Sequence, residues 1–288
     1  MTMTYIWYPV KENESPETAG APYPLVIYST GGWTNATLYT YFLEVLASYG
    51  FVVMAVDPRD AGQDATDWSP TVINRTQDTR LLISQADKMT APGGQLAGLI
   101  DMDKIASTGY SAGGWTALVG AGAQWSFGWC TAHSYSSDYC GSDHQKLADG
   151  FGLKSVPDGL WPAMNDPRVK TVVAMAPVGW VFGAEFEGVS AIKVPALIMA
   201  AADDTICPAE RRVNAIYQHL GSQKKSLIQF EGKDHSFFGG VDYDRDRITH
   251  FLTAYLLAEL KGDAQAAKAL APANVTFPGV KFETTEFK

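Results

Sequence analysis

Gly109-Tyr110-Ser111-Ala112-Gly113-Gly114 sets a serine between glycines in the spacing G-x-S-x-G. Before it runs Asp103 to Thr108, which ends in a short β-type segment, and after it runs Trp115 to Ala121, a small-residue helical segment. The order is therefore strand, tight turn, helix, with Ser111 at the apex. Glycines two residues either side of the serine have a steric reason. The turn strains the serine backbone, and side chains at those places would strike the neighbouring strand and helix. Ala112 begins the helix, where backbone N–H groups lack intrahelical acceptors and can face a developing oxyanion. The pattern alone is weak evidence in a chain with 27 glycines. It gains force only if a base and an acid follow at suitable places.

Working outward, residues 4–9 and 24–29 read as strands, 36–49 as a helix, and Phe51 to Val56 as a continuous apolar strand. Such uninterrupted runs are expected where both faces of a parallel sheet are covered. Residues 57–70 read as a polar loop, 76–89 as a helix and 104–109 as the strand entering the serine turn. Residues 122–169 break the alternation with an aromatic-rich insertion, a lid or a pocket wall. Strands at 172–175, 196–200 and 227–230 follow, with helices at 208–220 and 245–260. The last 25 residues read as a short helix and an extended tail. No linker divides the chain, so residues 1–288 are expected to form one α/β domain with a mostly parallel central sheet. In such sheets ligands gather where strands end.

Two strand ends carry the partners that a serine needs. After Ala200 comes Ala201-Ala202-Asp203-Asp204-Thr205-Ile206-Cys207-Pro208, and after Phe230 comes Glu231-Gly232-Lys233-Asp234-His235-Ser236. Serine, acid and histidine thus follow separate strands in that order. A serine hydroxyl hardly ionises at neutral pH and needs a base during attack. An imidazole can take that proton and return it to a leaving group, while a carboxylate fixes its tautomer. Asp204 is favoured as the acid because it stands in the turn just before the next helix; Asp203 is the alternative. One oxyanion donor is expected from Ala112 and the second from the Gly31-Gly32-Trp33 turn after strand 24–29, unless that turn is a plain one.

Formal net charge is −9, with acidic residues scattered rather than in blocks, which argues against nucleic acid or anionic membranes as partners. No stretch is long enough to cross a bilayer. No metal or organic cofactor is implied: His133, His144, Asp138 and Asp143 fit no zinc spacing. Of the three cysteines, Cys130 and Cys140 stand close enough in sequence for a local disulfide, which would contribute about 2–3 kcal/mol on a loop-entropy basis. A bridge there implies an oxidising, secreted or periplasmic compartment. Two free thiols in a cytoplasmic protein are the alternative. The N-terminus carries no visible signal peptide, and the chain starts abruptly in a strand.

Together these residues resemble the α/β-hydrolase superfamily. The chain is similar to its dienelactone-hydrolase-like and platelet-activating-factor-acetylhydrolase-like esterases and to the cutinase-like polyester hydrolases. Leu38-Tyr39, Leu46-Ala47-Ser48-Tyr49-Gly50-Phe51-Val52-Val53 and Val56-Asp57-Pro58-Arg59-Asp60 carry the acetylhydrolase likeness. Asp166-Pro167-Arg168-Val169-Lys170, Ala176-Pro177 and Asp204-Thr205-Ile206-Cys207-Pro208 carry the likeness to bacterial esterases. The resemblance implies an α/β-hydrolase fold with Ser111 as nucleophile, Asp204 as acid, His235 as base and Gly32 as the first-loop oxyanion donor. It also implies a pocket aromatic near Trp180. Dienelactone hydrolases carry a cysteine nucleophile where this chain has Ser111. Polyester hydrolases lack a long stretch like 122–169.

The expectation is a serine carboxylic-ester hydrolase working through an acyl-enzyme on small to medium esters, with polyester or lipid-type esters within range. Trp33, Trp180 and Phe237 flank the inferred catalytic residues and are expected in the substrate pocket, with ordinary packing as the other reading. An acyltransferase on the same triad and a non-catalytic binding module on the same fold are the alternatives. Oligomeric state is not legible.

Overall fold

In a computed structural model, residues 3–12, 15–60, 62, 66–128, 141–179, 181–239 and 245–288 are described. Eight strands form a single sheet: β1 (Thr4–Trp7), β2 (Tyr23–Ser29), β3 (Val52–Val56), β4 (Ile100–Tyr110), β5 (Val169–Met175), β6 (Ala196–Ala201), β7 (Lys225–Phe230) and β8 (Val280–Thr284). Their spatial order is β1-β3-β2-β4-β5-β6-β7-β8. The inner six run parallel, while β1 and β8 close the edges antiparallel. The expected mostly parallel α/β sheet is thus present.

The strand chemistry explains this layout. Leu25, Val26, Ile27 and Tyr28 of β2 are fully buried, as are Val52 to Ala55 of β3 and Val172 to Met175 of β5. Continuous apolar runs suit strands covered on both faces. In β8, half-buried Val280, Phe282 and Thr284 alternate with exposed Lys281 and Glu283, as expected of an edge strand with one face on the core. What reads from the sequence as an extended tail is therefore partly sheet.

Helices flank the sheet. Helix α1 (Thr40–Ser48) packs with Asp246–Lys261, and α2 (Ser69–Thr90) packs with α3 (Ala112–Gly120). The second of these begins earlier than its apolar pattern suggests. Asp67 accepts the Ser69 N–H at 2.9 Å and its hydroxyl at 2.6 Å, and Pro70 stands in the first turn. Pro suits that position because its missing N–H is not needed there. Apart from Val72, the buried face of the early turns is polar, with Thr71, Arg75, Thr76, Asp78 and Thr79 all buried, so no apolar stripe announces it. Within 122–169, α4 (His144–Gly150) packs on α2, and Trp125, Phe127 and Trp161 form a buried aromatic cluster. Among the described residues no helix is long and apolar enough to cross a membrane.

Candidate active site

Four parallel strands deliver the candidate residues to one edge of the sheet: β2 leads to Gly32, β4 to Ser111, β6 to Asp204 and β7 to His235. Ser111 sits at φ 55° and ψ −116°, a left-handed conformation that costs a non-glycine residue energy. The turn is held by the Ser111 N–H donating to the Met175 carbonyl at 2.8 Å, and by Gly114 N–H donating to the Ser111 carbonyl at 2.9 Å. Glycine is required on both sides. A Cβ at Gly113 would lie 2.6 Å from the Thr30 carbonyl oxygen, and one at Gly109 would lie 2.8 Å from that of Ser29.

His235 Nε2 lies 2.9 Å from Ser111 Oγ, and His235 Nδ1 lies 2.6 Å from Asp204 Oδ2. A carboxylate only accepts, so Nδ1 carries the proton toward Asp204 and Nε2 is left to accept from the serine. The other Asp204 oxygen accepts from the Ile206 and Cys207 N–H groups at 2.8 and 2.7 Å. Those bonds fix the carboxylate in a side-chain environment with no exposure to solvent. The neighbouring Asp203 is exposed, and the chosen aspartate is the one that reaches the imidazole.

Tyr110 braces the histidine. Its hydroxyl donates to the His235 carbonyl at 2.8 Å, and its ring centroid lies 5.1 Å from the imidazole. Burial pushes the Tyr110 phenol well above its ordinary range, so it stays a donor.

The Gly31–Trp33 turn leaves one N–H unspent. The Gly31 N–H donates to Tyr39 Oη at 3.2 Å, and the Trp33 N–H donates to Asp60 Oδ2 at 3.0 Å. Between them, the Gly32 N–H has no acceptor among the described residues. The Ala112 N–H opens α3 and likewise has none. Gly32, Ala112, Ser111 and His235 line one cleft of about 420 Å3. Its walls are otherwise largely apolar: Trp33, Trp68, Val178 and Ile206. Trp33 is 49% exposed, its ring edge-on to Trp68 at 5.8 Å, and Ile206 is 56% exposed.

Of the aromatics expected in the pocket, Trp33 lines this cleft and Phe237 does not. The Asp234 carboxylate accepts the Ser236 N–H at 2.9 Å and starts a 3-10 turn over His235–Phe238. This turn sends Phe237 inward, 2% exposed, against Phe230 and Phe238 at ring distances of 4.9 and 5.5 Å. Trp180, Cys130 and Cys140 lie outside the described residues. Trp68, Val178 and Ile206 were not anticipated; Ile206, two places after the candidate acid in a strand-end loop, was the most readable of them.

Asp204, Cys207 and His235 are the described group whose ligand atoms lie within 4.8 Å of one another. The imidazole Nδ1 and the carboxylate bond each other, and Oδ1 takes two N–H groups, so these ligand atoms are already engaged within the protein.

Residues 150–285 match the family model described as PET hydrolase-like. Residues 1–92 match the one described as platelet-activating factor acetylhydrolase, isoform II. The first span holds Asp204 and His235, the second holds the Gly32 turn, and Ser111 stands between them. No curated protein matches the chain. Both matched families are α/β-hydrolase-type carboxylic ester hydrolases. With its sheet order and flanking helices, the chain is an α/β-hydrolase of that enzyme class, similar to the polyester hydrolases.

Proposed function

We propose that this ester hydrolase works through a Ser111–His235–Asp204 triad and an acyl-enzyme, on esters whose apolar or aromatic acyl group fits the Trp33–Ile206 cleft. The observation that carries the reading is the 2.9 Å approach of His235 Nε2 to Ser111 Oγ beside two unspent N–H groups. Those are the parts that acyl transfer needs: a nucleophile, a base in hydrogen-bond reach and donors for the oxyanion.

Ser111 Oγ attacks the ester carbonyl carbon while its proton passes to His235 Nε2. The carbonyl π pair moves onto oxygen, and the Gly32 and Ala112 N–H groups stabilise that charge. Asp204 stabilises the imidazolium through Nδ1. Collapse of the tetrahedral species breaks the bond to the alkoxy oxygen, which takes the proton from Nε2 and leaves as the alcohol. Water then gives a proton to Nε2 as it attacks the acyl-serine, and collapse returns the proton to Ser111 and releases the acid. An acyl group flanked by Trp33 and Ile206 is shielded from water on both sides, and aromatic rings stack well on indole. Aromatic polyester segments and lipid-type acyl groups both fit this description, and the PET hydrolase-like match supports the former.

Ser111→Ala is expected to cut p-nitrophenyl butyrate turnover by at least about 10³-fold, with circular dichroism unchanged. Retention of the wild-type rate would overturn the reading.

A further inference from the structure

Behind the oxyanion turn lies a buried ion pair outside the proposed triad. Asp60 and Arg75 have side chains only 5% and 3% exposed. The guanidinium meets the carboxylate as a fork, Nε to Oδ1 at 2.7 Å and Nη2 to Oδ2 at 2.6 Å. Two of its three remaining N–H groups reach carbonyls of the turn: Nη1 donates to Thr30 O at 2.8 Å and Nη2 to Gly31 O at 3.0 Å. Asp60 Oδ2 in turn accepts the Trp33 N–H at 3.0 Å. One ion pair thus holds the backbone on both sides of Gly32.

We propose that Asp60 and Arg75 are positioning residues for the Gly32 oxyanion donor, an inference that rests on the esterase reading above. The argument follows the peptide planes. The carbonyl of Gly31 and the N–H of Gly32 belong to one planar trans unit and point in opposite directions. Arg75 pulls that carbonyl toward the protein interior, assisted by Thr34 Oγ1, which donates to it at 2.9 Å. The Gly32 N–H is therefore turned the other way, toward the cleft that Gly32 lines. The preceding plane is held at both ends, by Arg75 on Thr30 O and by Tyr39 Oη on the Gly31 N–H. The following N–H, that of Trp33, is held by Asp60.

A Gly-Gly peptide unit needs such restraint. Without Cβ atoms on either side, the Gly31–Gly32 plane rotates more freely than any other. Flipped, it would present a carbonyl oxygen to the oxyanion and repel it. The guanidinium adds a second effect. A cation bonded to the Gly31 carbonyl polarises the same amide and makes the Gly32 N–H a stronger donor. A planar five-donor fork can serve Asp60 and two carbonyls at once, whereas a lysine ammonium has three donors on one atom.

The test is kinetic. Arg75→Lys, Arg75→Met and Asp60→Asn are compared with wild type on p-nitrophenyl butyrate, with melting temperature and the affinity for an alkyl boronic acid measured alongside. A boronic acid bonds Ser111 Oγ and presents a tetrahedral hydroxyl to the oxyanion donors. The inference predicts that Arg75→Lys lowers kcat by about 10–10²-fold with KM within about twofold, and weakens boronate binding in step with kcat. Arg59→Ala, which breaks the nearby pair between half-exposed Arg59 and buried Asp78 (3.2 Å) and removes no hydrogen bond of the turn, should keep kcat whatever it does to melting. A folded Arg75→Lys with kcat within twofold of wild type overturns the positioning role. So does an Arg59→Ala loss equal to that of Arg75→Lys. Should Arg75→Met fail to fold, Arg75→Lys and Asp60→Asn decide the matter. If wild type itself neither turns over the ester nor binds the boronate, the esterase reading falls first, and the positioning role falls with it.

Discussion

Asp204 Oδ2 stands 2.6 Å from His235 Nδ1, while Asp204 Oδ1 is held by the N–H groups of Ile206 and Cys207. The loop after β6 therefore fixes both oxygens, and through them the tautomer of the imidazole. In Asp204→Asn the amide oxygen would keep the two backbone donors, so the amide nitrogen would face Nδ1 and donate to it. Nε2 would then carry the ring proton and could not accept from Ser111. The expected outcome is a kcat lower by about 10³–10⁴-fold with little loss of melting temperature, checked by steady-state ester hydrolysis and thermal melting.

Much of this arrangement was legible in the chain. Ser111, Asp204 and His235 each follow an apolar run that forms a parallel strand, and strand ends share one edge of such a sheet. The Asp60–Arg75 pair was not legible. Arg75 lies on the buried polar face of α2, where apolar periodicity is silent, and Asp60 lies in a loop with several other acids. Phe237 shows the opposite error. It stands two places from His235 in sequence, yet a single capped turn points it into the core. β8 carried a readable signal, the alternation Val280-Lys281-Phe282-Glu283-Thr284, hidden only by its place in an apparent tail.

Trp33 forms one exposed wall of the cleft, its ring edge-on to Trp68, and the bond from this turn to Asp60 comes from its backbone N–H. Trp33→Ala should raise KM for aromatic esters by about 5–20-fold, a loss of about 1–2 kcal/mol in stacking and burial. The effect on p-nitrophenyl acetate turnover number should be small. A substrate series of acetate, butyrate and benzoate esters checks this.

Glu259 of α5 (Asp246–Lys261) is pushed up to about 7, first by burial and then by its hydrogen bond to Glu286, which follows β8. A carboxyl whose folded-state value is raised favours the folded state while protonated. Its contribution is complete below its ordinary value of 4.5 and is lost as pH rises through about 7. Lys224, 3.1 Å from Glu286, offsets part of the repulsion that remains. Melting temperature should therefore fall as pH rises from about 4.5 to about 7 and level off above that, and Glu259→Gln should flatten the fall.

Cys207 is buried within the core, and the chain has three cysteines. The proposed Cys130–Cys140 bridge predicts one reactive thiol per chain in denaturant without reductant, and three after reduction. Three thiols before reduction, in protein prepared under oxidising conditions, would remove the bridge and the secreted or periplasmic expectation with it.

The central claim is that Ser111 becomes covalently acylated with His235 as its base. Protein mixed with excess p-nitrophenyl butyrate and quenched in acid within the burst should gain the mass of one butyryl group, mapped by peptide sequencing to Ser111. His235→Ala should show no such gain on that timescale. A butyryl group on any other residue, or one acquired equally fast without His235, would contradict the account.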